Sequence, residues 1–340
     1  MKICLYLEFY HFLGGFLFKK VGTGLLSSYK NQKKMLEKLG IPFVEHFDMS
    51  CDILEINTPW LRSIYLIKKA KRHGKKVIIW SHVTAEDARQ VFRFMPFLFP
   101  FLKKYLAYAY NLADRVFCPS DYTKSLLIAY GLPQEKLEVQ SNGVDLKNFY
   151  SDPKARAVAR EKYNLKRTTI GTVGLVVPRK GIETFISLAR TFSDCQFVWF
   201  GKIYSPLLAK SLPKNLPANV QFTGFVDDIR GAYNALDIFL FPSFEENQGM
   251  AVLEAAAVAI PIVVRDLPVY RDWLFDGENC VKALREEDFE ARIHTLLKNK
   301  DLREKIVMNE KELARRESLD VLSKKRLSSY NTLYSSRVHV

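Results

Sequence analysis

The chain has 340 residues, of which 48% are hydrophobic and 26% are charged, and its formal net charge is +14. This composition is typical of a globular protein and excludes a disordered chain, and the length favours two domains of about 150 residues each. No run approaches the roughly 18–20 apolar residues that a membrane-spanning helix needs. Beyond a solubilising role, the basic excess predicts a negatively charged partner, either nucleic acid or an anionic membrane surface.

The N-terminal residues Lys2–Leu7 predict a first buried strand. They do not predict a signal peptide, because Glu8 interrupts the apolar run and only Lys2 precedes it. The five cysteines are odd in number and scattered. That usage favours reduced thiols in the cytosol over a disulfide framework or a metal site.

Short apolar runs alternate with amphipathic helical stretches throughout, which is typical of an α/β protein with parallel sheets. In the first half, helices are predicted at Ser27–Leu39 and Ser120–Tyr130, and the further strands at Ile53–Asn57, Lys76–Trp80, Arg115–Cys118 and Leu137–Gln140. Ligands bind beyond the carboxyl ends of such strands. The residues that follow the strands, such as His82, are therefore the first candidates for a site.

The stretch VFRFMPFLFPFLKKYLAYAY, residues 91–110, is apolar with a basic flank. Pro96 and Pro100 are expected to interrupt any long helix there. The pattern fits an interfacial segment that touches lipid, and it also fits aromatic side chains packed into the core. The residues expected at a membrane or at an acceptor substrate are Phe92, Arg93, Phe97, Phe101, Lys103 and Lys104.

Residues 151–169 are polar and lack a strand pattern, so the domain boundary is predicted there. The first domain is expected at residues 1–150 and the second at 168–319, with a final helix at about 320–340 packing back on the first domain. The strands of the second domain are predicted at Thr169–Val177, Phe197–Gly201, Val220–Thr223, Asp237–Pro242 and Pro261–Arg265. A charged helical tail follows from Glu286 to about Arg326.

The segment FLFPSFEENQGMAVLEAAAVAIPIVV carries the clearest chemistry. A strand is followed by a loop with Glu246, by Gly249, and by a helix-forming run that contains Glu254 and stops before Pro261. The free N–H groups at that helix start would hold a diphosphate. Two separated carboxylates could grip the hydroxyls of one extended ligand, such as a nucleotide sugar. The alternative is that both glutamates are solvated helix charges.

Four segments together resemble the large retaining glycosyltransferase family of GT-B fold, of the glycosyltransferase family 4 type. They are the Glu-x7-Glu arrangement just described, SNGVD (141–145), TVGLVVPRKG (172–181) and WSHVTAED (80–87). The resemblance implies two Rossmann-like parallel-sheet domains that face a cleft, the first binding the acceptor and the second the nucleotide sugar. It also implies sugar transfer with retention of configuration.

The same resemblance implies roles for individual residues. The catalytic positions would be His82, hydrogen-bonded to the sugar or a leaving-phosphate oxygen, and Glu246, at the transferred sugar. Glu254 would bind the ribose hydroxyls and Lys180 the diphosphate. The donor-binding positions would be Gly22, Gly24, Arg179, Lys180, Asn247, Gln248, Gly249, Met250 and Glu254. For His82 a structural role in the core, and for Gly22 and Gly24 an ordinary tight turn, are the alternatives.

Two features depart from the family or bear on metal dependence. Leu175 follows Gly174 where the family commonly has arginine, so Arg179 would have to substitute for it from another direction or face solvent. Asp227 and Asp228 are adjacent and are predicted to cap a helix. We therefore expect no metal requirement and no cofactor.

The segments EENQGMAVLEAAA and GLVVPRKG are similar to those of bacterial enzymes that build glycolipids on diacylglycerol. The similarity is strongest to enzymes that add a second hexose to monoglucosyl-diacylglycerol. This implies a UDP-glucose or UDP-galactose donor, a glycolipid acceptor, anionic lipids as partners and a place at the inner face of the cell membrane. The alternatives are an enzyme of polyprenyl-linked or cell-surface polysaccharide synthesis, a membrane adaptor without catalysis, and a basic nucleic-acid-binding protein. The last has no recognisable motif in the chain.

Overall fold

The structure is a computed structural model that describes residues 1–8, 24–87, 95–203 and 215–336, with only the backbone for residues 95–98. The predictions for Gly22, Phe92 and Arg93 therefore lie outside the described residues, and so does the side chain of Phe97. Within the described ranges, no helix combines the length and apolarity that crossing a membrane requires.

The first half of the chain forms a six-stranded parallel sheet. Its strands in chain order are β1 (Ile3–Tyr6), β2 (Phe43–Val44), β3 (Ile53–Ile56), β4 (Lys76–Trp80), β5 (Arg115–Cys118) and β6 (Leu137–Val139). Their order across the sheet is β2-β1-β3-β4-β5-β6. The described helices between them are α1 (Gly24–Lys38), α2 (Leu61–Arg72), α3 (Met95–Asn111) and α4 (Asp121–Ala129).

The second half forms another six-stranded parallel sheet, in the order β12-β11-β10-β7-β8-β9. Its strands are β7 (Thr169–Val173), β8 (Gln196–Phe200), β9 (Val220–Gly224), β10 (Ile238–Phe241), β11 (Ile262–Arg265) and β12 (Val281–Ala283). The described helices are α5 (Pro153–Lys162), α6 (Ile182–Thr191), α7 (Ile229–Asn234), α8 (Met250–Val258), α9 (Glu286–Lys298) and α10 (Lys300–Arg316). The α/β prediction with two parallel sheets is confirmed.

The strands read as continuous apolar runs because helices cover both faces of a parallel sheet. β3, β7, β10 and β11 are buried at every residue. The sequence prediction missed β2 and β12, which are short edge strands of two and three residues. Strands that short carry too few apolar residues to form a pattern.

The last helix, α11 (Leu319–Ser335), returns to the first sheet and packs against α1. Its Tyr330 and Leu333 join the core that covers β1 and β3. The hydroxyl of Tyr330 donates to the buried Glu55 at 2.6 Å, and the indole N–H of Trp80 donates to the same carboxylate at 2.7 Å. The helix α11 therefore packs on the first domain.

The prediction that Pro96 and Pro100 would interrupt a helix is wrong, since α3 is one continuous helix that contains Pro100. Pro96 lies in the first turn, where the backbone N–H has no intrahelical partner in any residue. Pro100 removes one backbone hydrogen bond. The buried Leu106 and Tyr110 on the same helix pack into the core beneath the first sheet, and this packing outweighs that loss.

Candidate active site

The residues that follow the strands of the two sheets line one cleft of about 500 Å³. His82 follows β4 and Asn142 follows β6 in the first sheet, and the loop after β10 faces them from the second. The predicted site residues among its lining are Gly24, His82, Arg179, Lys180, Glu246, Asn247, Gln248, Gly249, Met250 and Glu254. The structure thus brings together all of the predicted catalytic and donor-binding residues that it describes.

Glu246 lies in the β10–α8 loop, residues 242–249, and its side chain is buried. Its Oε1 accepts a hydrogen bond from the hydroxyl of Ser243 at 2.6 Å and lies 3.4 Å from a guanidinium nitrogen of Arg179. The ammonium of Lys180 also contacts Oε1. Burial alone would raise the pKa of Glu246, but Lys180 and Arg179 outweigh it and lower that pKa below its ordinary value. Glu246 is therefore a buried carboxylate held in its charged form.

Arg179 does not face solvent. Its side chain contacts residues of both the first and the second domain. Its Nε lies 3.1 Å from Oδ1 of Asp87, which follows β4, and its NH1 donates to the carbonyl of Glu245 at 2.9 Å. Burial raises the pKa of Asp87, and the charge of Arg179 opposes that rise. Sequence reasoning did not select Asp87, although it is the last residue of the WSHVTAED segment.

Gly249 precedes α8 with φ of +91°, in the left-handed region that glycine favours. A Cβ at this position would lie 3.0 Å from the Tyr270 hydroxyl and 3.1 Å from its ring. Met250 is the first residue of α8, so the helix start with its free N–H groups opens into the cleft. Both the backbone conformation and the space available require glycine here.

Glu254 lies one turn into α8 and is buried. Its Oε2 accepts a hydrogen bond from the hydroxyl of Tyr233 at 2.6 Å, a partner on α7 that the sequence did not reveal. Burial raises the pKa of Glu254 to about 7, although the hydrogen bond from Tyr233 opposes the rise. The solvated-helix alternative for Glu254 is therefore wrong.

His82 is half-buried at the cleft, and its ring stacks on Trp80 with centroids 5.0 Å apart and planes 8° apart. The guanidinium of Arg326, on α11, lies 4.5 Å from the centroid of the Trp80 ring. Burial lowers the pKa of His82 to about 3, and the charge of Arg326 lowers it further in the same direction. The imidazole is accordingly neutral at physiological pH.

The side chains of Asn247 and Gln248 cross the cleft to the first domain. The side-chain Nδ2 of Asn247 donates to the backbone carbonyl of His82 at 3.0 Å, and the backbone carbonyl of Asn247 accepts from the hydroxyls of Ser120 at 2.7 Å and Thr123 at 3.1 Å. Gln248 accepts from both nitrogens of Asn142 at 3.0 and 2.8 Å. Their side chains thus hold the two domains together, which the sequence did not indicate.

Exposed aromatic and basic side chains form a surface on the first domain. Phe101 on α3 is 72% exposed, and Leu61 and Tyr65 on α2 are 78% and 61% exposed. Lys68 of α2 lies 5.6 Å over the ring of Tyr108 on α3, so the two helices share one face. We call Leu61, Tyr65, Lys68, Phe101, Lys104 and Tyr108 the α2–α3 surface.

The aromatic stretch is therefore divided between surface and core. Phe99 and Leu102 pack against the core beneath the first sheet, while Phe101 points outward. Lys103 lies 4.9 Å over the ring of Tyr130, and Lys104 is exposed. The contribution of α2 to this surface was missed because LRSIYLIKKAKR reads as an ordinary amphipathic helix.

Asp228 caps α7, as predicted, by accepting from the backbone N–H of Gly231 at 3.0 Å. Among the residues that the structure describes, no group of three or more His, Cys, Asp or Glu side chains is arranged to hold a metal ion. The positive groups that line the cleft include Lys180, Arg179, Lys30, Lys202 and the start of α8.

Two protein families match this chain. Residues 154–313 match glycosyl transferases group 1, and residues 25–148 match glycosyltransferase family 4. Together the two matches include every described strand except β1, and they include His82, Lys180, Glu246 and Glu254.

Two curated relatives match along most of the chain. The processive diacylglycerol alpha-glucosyltransferase of Acholeplasma laidlawii is 34% identical over 307 residues, covering 87% of this chain and 88% of that protein. The alpha-galactosylglucosyldiacylglycerol synthase of Streptococcus pneumoniae is 28% identical over 290 residues, covering 80% of this chain and 76% of that protein.

Solved structures share the fold. HepE of Anabaena, crystallised with UDP-glucose, superposes with a TM-score of 0.79 at 16% identity over 98% of this chain and 100% of that one. WaaG, a glycosyltransferase involved in lipopolysaccharide biosynthesis, superposes with a TM-score of 0.67 at 17% identity over 96% of this chain and 98% of that one. These structures confirm the GT-B prediction.

Proposed function

Because the chain belongs to the group 1 glycosyl transferases, we propose that it moves a hexose from a UDP-sugar to a membrane glycolipid, with retention of configuration. The donor is UDP-glucose or UDP-galactose, and the acceptor is monoglucosyl-diacylglycerol. The two relatives support this acceptor class, since the names of both describe enzymes of glycosyl-diacylglycerol synthesis.

The observation that carries the proposal is the arrangement of charges around the start of α8. Lys180 and Arg179 contact Glu246 in the loop before α8 and line the same cleft as the helix N-terminus, and Glu254 lies one turn further along that helix. A diphosphate at the helix start would meet free N–H groups and two cations. These groups would stabilise the charge that builds up on the leaving diphosphate, which is the largest contribution expected in such a reaction, and they would do so without a metal ion.

In the reaction, the bond between the sugar's anomeric carbon and the diphosphate oxygen breaks, and the acceptor hydroxyl oxygen bonds to that carbon. The hydroxyl proton passes to the departing diphosphate. Because Oε1 of Glu246 is held by Lys180, Arg179 and Ser243, this carboxylate is better suited to bind sugar hydroxyls than to act as a nucleophile. We therefore propose front-face attack on an oxocarbenium-like centre, and a trapped glycosyl adduct on Glu246 would contradict it.

Glu254 gives the proposal a pH dependence. The pKa of Glu254 is raised to about 7, and only the ionised carboxylate accepts hydrogen bonds from both ribose hydroxyls. We expect UDP-glucose affinity to rise by about ten-fold in all between pH 6 and pH 8 and to level off at higher pH. Isothermal titration of wild type and Glu254→Gln checks this result, since the variant has no carboxyl to titrate and should show a flatter profile. An equally steep profile in the variant would remove Glu254 from the ribose site.

The same raised pKa also affects stability. Between the ordinary carboxyl range and about pH 7, the folded chain holds a proton on Glu254 that the unfolded chain has released. Stability therefore falls as the pH rises through this window. The free energy of unfolding of wild type, relative to that of Glu254→Gln, should decline by up to about 1.4 kcal/mol per pH unit. Urea denaturation at pH 5, 6 and 7 measures this difference, and a wild type that gains stability relative to the variant would contradict the assignment.

The membrane part of the proposal rests on the α2–α3 surface and on the net charge of +14. Aromatic side chains flanked by lysines are suited to the interface of an anionic bilayer. The surface belongs to the first domain, which carries His82, so it would hold the enzyme where a lipid acceptor can reach the cleft. We propose peripheral attachment at the inner face of the cell membrane.

Exchange of Tyr65 and Phe101 for serine tests this surface. Each aromatic contributes on the order of 1.5–3 kcal/mol when it is fully buried, so binding to anionic vesicles should weaken by about ten-fold or more. The affinity for UDP-glucose should be unchanged. Vesicle co-sedimentation measures the first quantity, and Met308→Ser is the matched control because Met308 is 65% exposed on α10 of the second domain. Unchanged vesicle binding in the double variant would contradict the membrane role.

The whole proposal is tested by incubating the protein with labelled UDP-glucose or UDP-galactose and anionic liposomes that contain diacylglycerol, monoglucosyl-diacylglycerol or neither. Label in a slower-migrating glycolipid that requires the glucosylated acceptor is the expected result. Label on plain diacylglycerol would make the protein a first-sugar enzyme. Label in neither lipid, although UDP binds, would overturn the glycolipid acceptor and favour polysaccharide synthesis.

A further inference from the structure

Three hydrogen bonds join Gln248 in the β10–α8 loop to His82 in the first domain. Asn142 Nδ2 donates to Gln248 Oε1 at 2.8 Å, Ser28 Oγ donates to Asn142 Oδ1 at 2.6 Å, and Ser28 Oγ lies 3.3 Å from His82 Nε2. Ser28, Asn142 and Gln248 are 1%, 5% and 7% exposed, so water does not compete for the bonds among these three side chains. We call these four side chains the relay.

The contacts of Gln248 determine which atom donates and which accepts in each hydrogen bond of the relay. The backbone N–H of Asn142 can only donate, and it lies 3.0 Å from Gln248 Oε1. The Gln248 atom at that place must therefore be its oxygen, with the amide nitrogen turned to Ser141 Oγ at 2.7 Å. The side chain of Asn142 meets the same oxygen, so it must offer Nδ2 there and turn Oδ1 towards Ser28.

The same donor and acceptor assignment extends to Ser28, whose hydroxyl has one proton. That proton goes to Asn142 Oδ1, because two oxygens 2.6 Å apart need a shared proton. Gln32 Nε2 donates to the same hydroxyl at 3.2 Å, and the orientation of its amide is set by a bond to Asn57 Oδ1 at 2.7 Å. Ser28 has no proton left for His82, so it can only accept from that ring.

We propose that Gln248, acting through Asn142 and Ser28, positions His82 as the neutral imidazole with its proton on Nε2, which leaves Nδ1 as a hydrogen-bond acceptor. Gln248, Asn142 and Ser28 are positioning residues in this arrangement. Burial and the nearby Arg326 keep the ring neutral, in agreement with the hydrogen bonds. Because Gln248 lies in the second domain and the other three in the first, closure of the cleft completes the relay.

The hydrogen bonds place a proton on Nε2, and the lowered pKa of the ring leaves none on Nδ1, so the tautomer does not depend on the reaction. Its use in the reaction rests on the proposed function, in which Nδ1 accepts a hydrogen bond from a hydroxyl of the transferred sugar or of the incoming glycolipid. A histidine with its proton on Nδ1 would present a donor in place of an acceptor to that hydroxyl. Loss of Gln248 should therefore lower the rate more than the affinity for the donor.

The tautomer is tested by NMR of the full chain with ¹⁵N-labelled histidine at pH 7. The chain has six histidines, and the resonances absent from His82→Gln identify the ring. We expect wild type to show a protonated Nε2 and an unprotonated Nδ1. A proton on Nδ1, or on both nitrogens, would overturn the proposal whether or not the protein transfers sugar.

Variants then test the relay. In Gln248→Leu we expect the ring shifts to move towards an average of two tautomers, kcat to fall by about ten-fold, and the KM for UDP-glucose to change by less than about three-fold. Gln248→Glu keeps an oxygen for Asn142 and should retain the wild-type tautomer. Thr123→Val is the matched control, since it loses one bond to Asn247 across the same interface. Unchanged shifts in Gln248→Leu, or equal shifts in Thr123→Val, would overturn the relay.

Discussion

Replacing Lys180 with methionine should reduce sugar transfer by about 10²–10³-fold, the loss expected when one charge-stabilising group is removed from a reacting centre. Methionine keeps the length and the apolar stem of lysine but lacks the ammonium, which lies 4.6 Å from the centroid of the Phe241 ring. The variant removes the cation that contacts Glu246 and lines the cleft. The measurement is kcat for transfer from UDP-glucose to lipid, together with the Kd for UDP.

A second variant separates chemistry from folding. Lys180→Met leaves the buried Glu246 with Arg179 as its remaining cation, and breaking a buried ion pair costs about 3–5 kcal/mol when nothing else compensates. Lys180→Met/Glu246→Gln removes both charges, so we expect it to regain most of the lost stability while it stays inactive. A folded Lys180→Met protein that kept transfer within ten-fold of wild type would exclude Lys180 from the diphosphate site.

Replacing Gly249 with alanine should weaken UDP binding by about 10–100-fold. The new Cβ would lie 3.0 Å from the Tyr270 hydroxyl, and the backbone has φ of +91°. A non-glycine residue in that region is strained by about 1–3 kcal/mol. Relief of the clash would move the start of α8, whose N–H groups are the proposed diphosphate site. Calorimetric titration with UDP measures the loss.

Gly277→Ala is the matched control for this prediction. Gly277 has φ of +71°, and a Cβ there would meet nothing within 4 Å. Both variants therefore carry backbone strain and should have a lowered melting temperature, but only Gly249→Ala should lose UDP affinity. Equal UDP affinity in the two variants would show that the helix start does not hold the diphosphate.

The fold was predictable because its signals are local. β4 and β5 have the predicted bounds, since each is one apolar run that ends at a polar residue or a proline. Glu246 and Glu254 could be selected from the sequence because they belong to one motif of fixed spacing, and Lys180 because it belongs to a second motif, TVGLVVPRKG. The motif resemblance also predicted the family, and the comparisons confirm it.

The contacts between the two halves of the chain were not predictable from local patterns. Asp87 and Arg179 are far apart in sequence and meet because two sheets face one cleft. The sequence predicts Asn247 and Gln248 only as donor-binding residues, and the bonds of their side chains to His82 and Asn142 depend on how the two domains meet. No single stretch of sequence encodes that geometry.

The error over α3 has a related cause. The prediction considered only the backbone hydrogen bond that a proline removes. In the folded chain, burial of Leu106 and Tyr110 on the same helix contributes more free energy than that bond. The sequence alone also could not show which aromatic side chains of this stretch are exposed and which are buried. In the fold, Phe99 packs inward and Phe101 points outward. Side chains two positions apart on a helix do not share a face.

The most direct test of the account is the anomeric configuration of the product formed from UDP-α-glucose or UDP-α-galactose on liposomes that carry monoglucosyl-diacylglycerol. Proton NMR of the extracted glycolipid, read at its new anomeric signal, makes the measurement. The account predicts a diglycosyl lipid whose new linkage is α, formed by wild type and lost in Lys180→Met. A β linkage would contradict retention, and release of free hexose without any glycolipid would contradict transfer to a membrane acceptor.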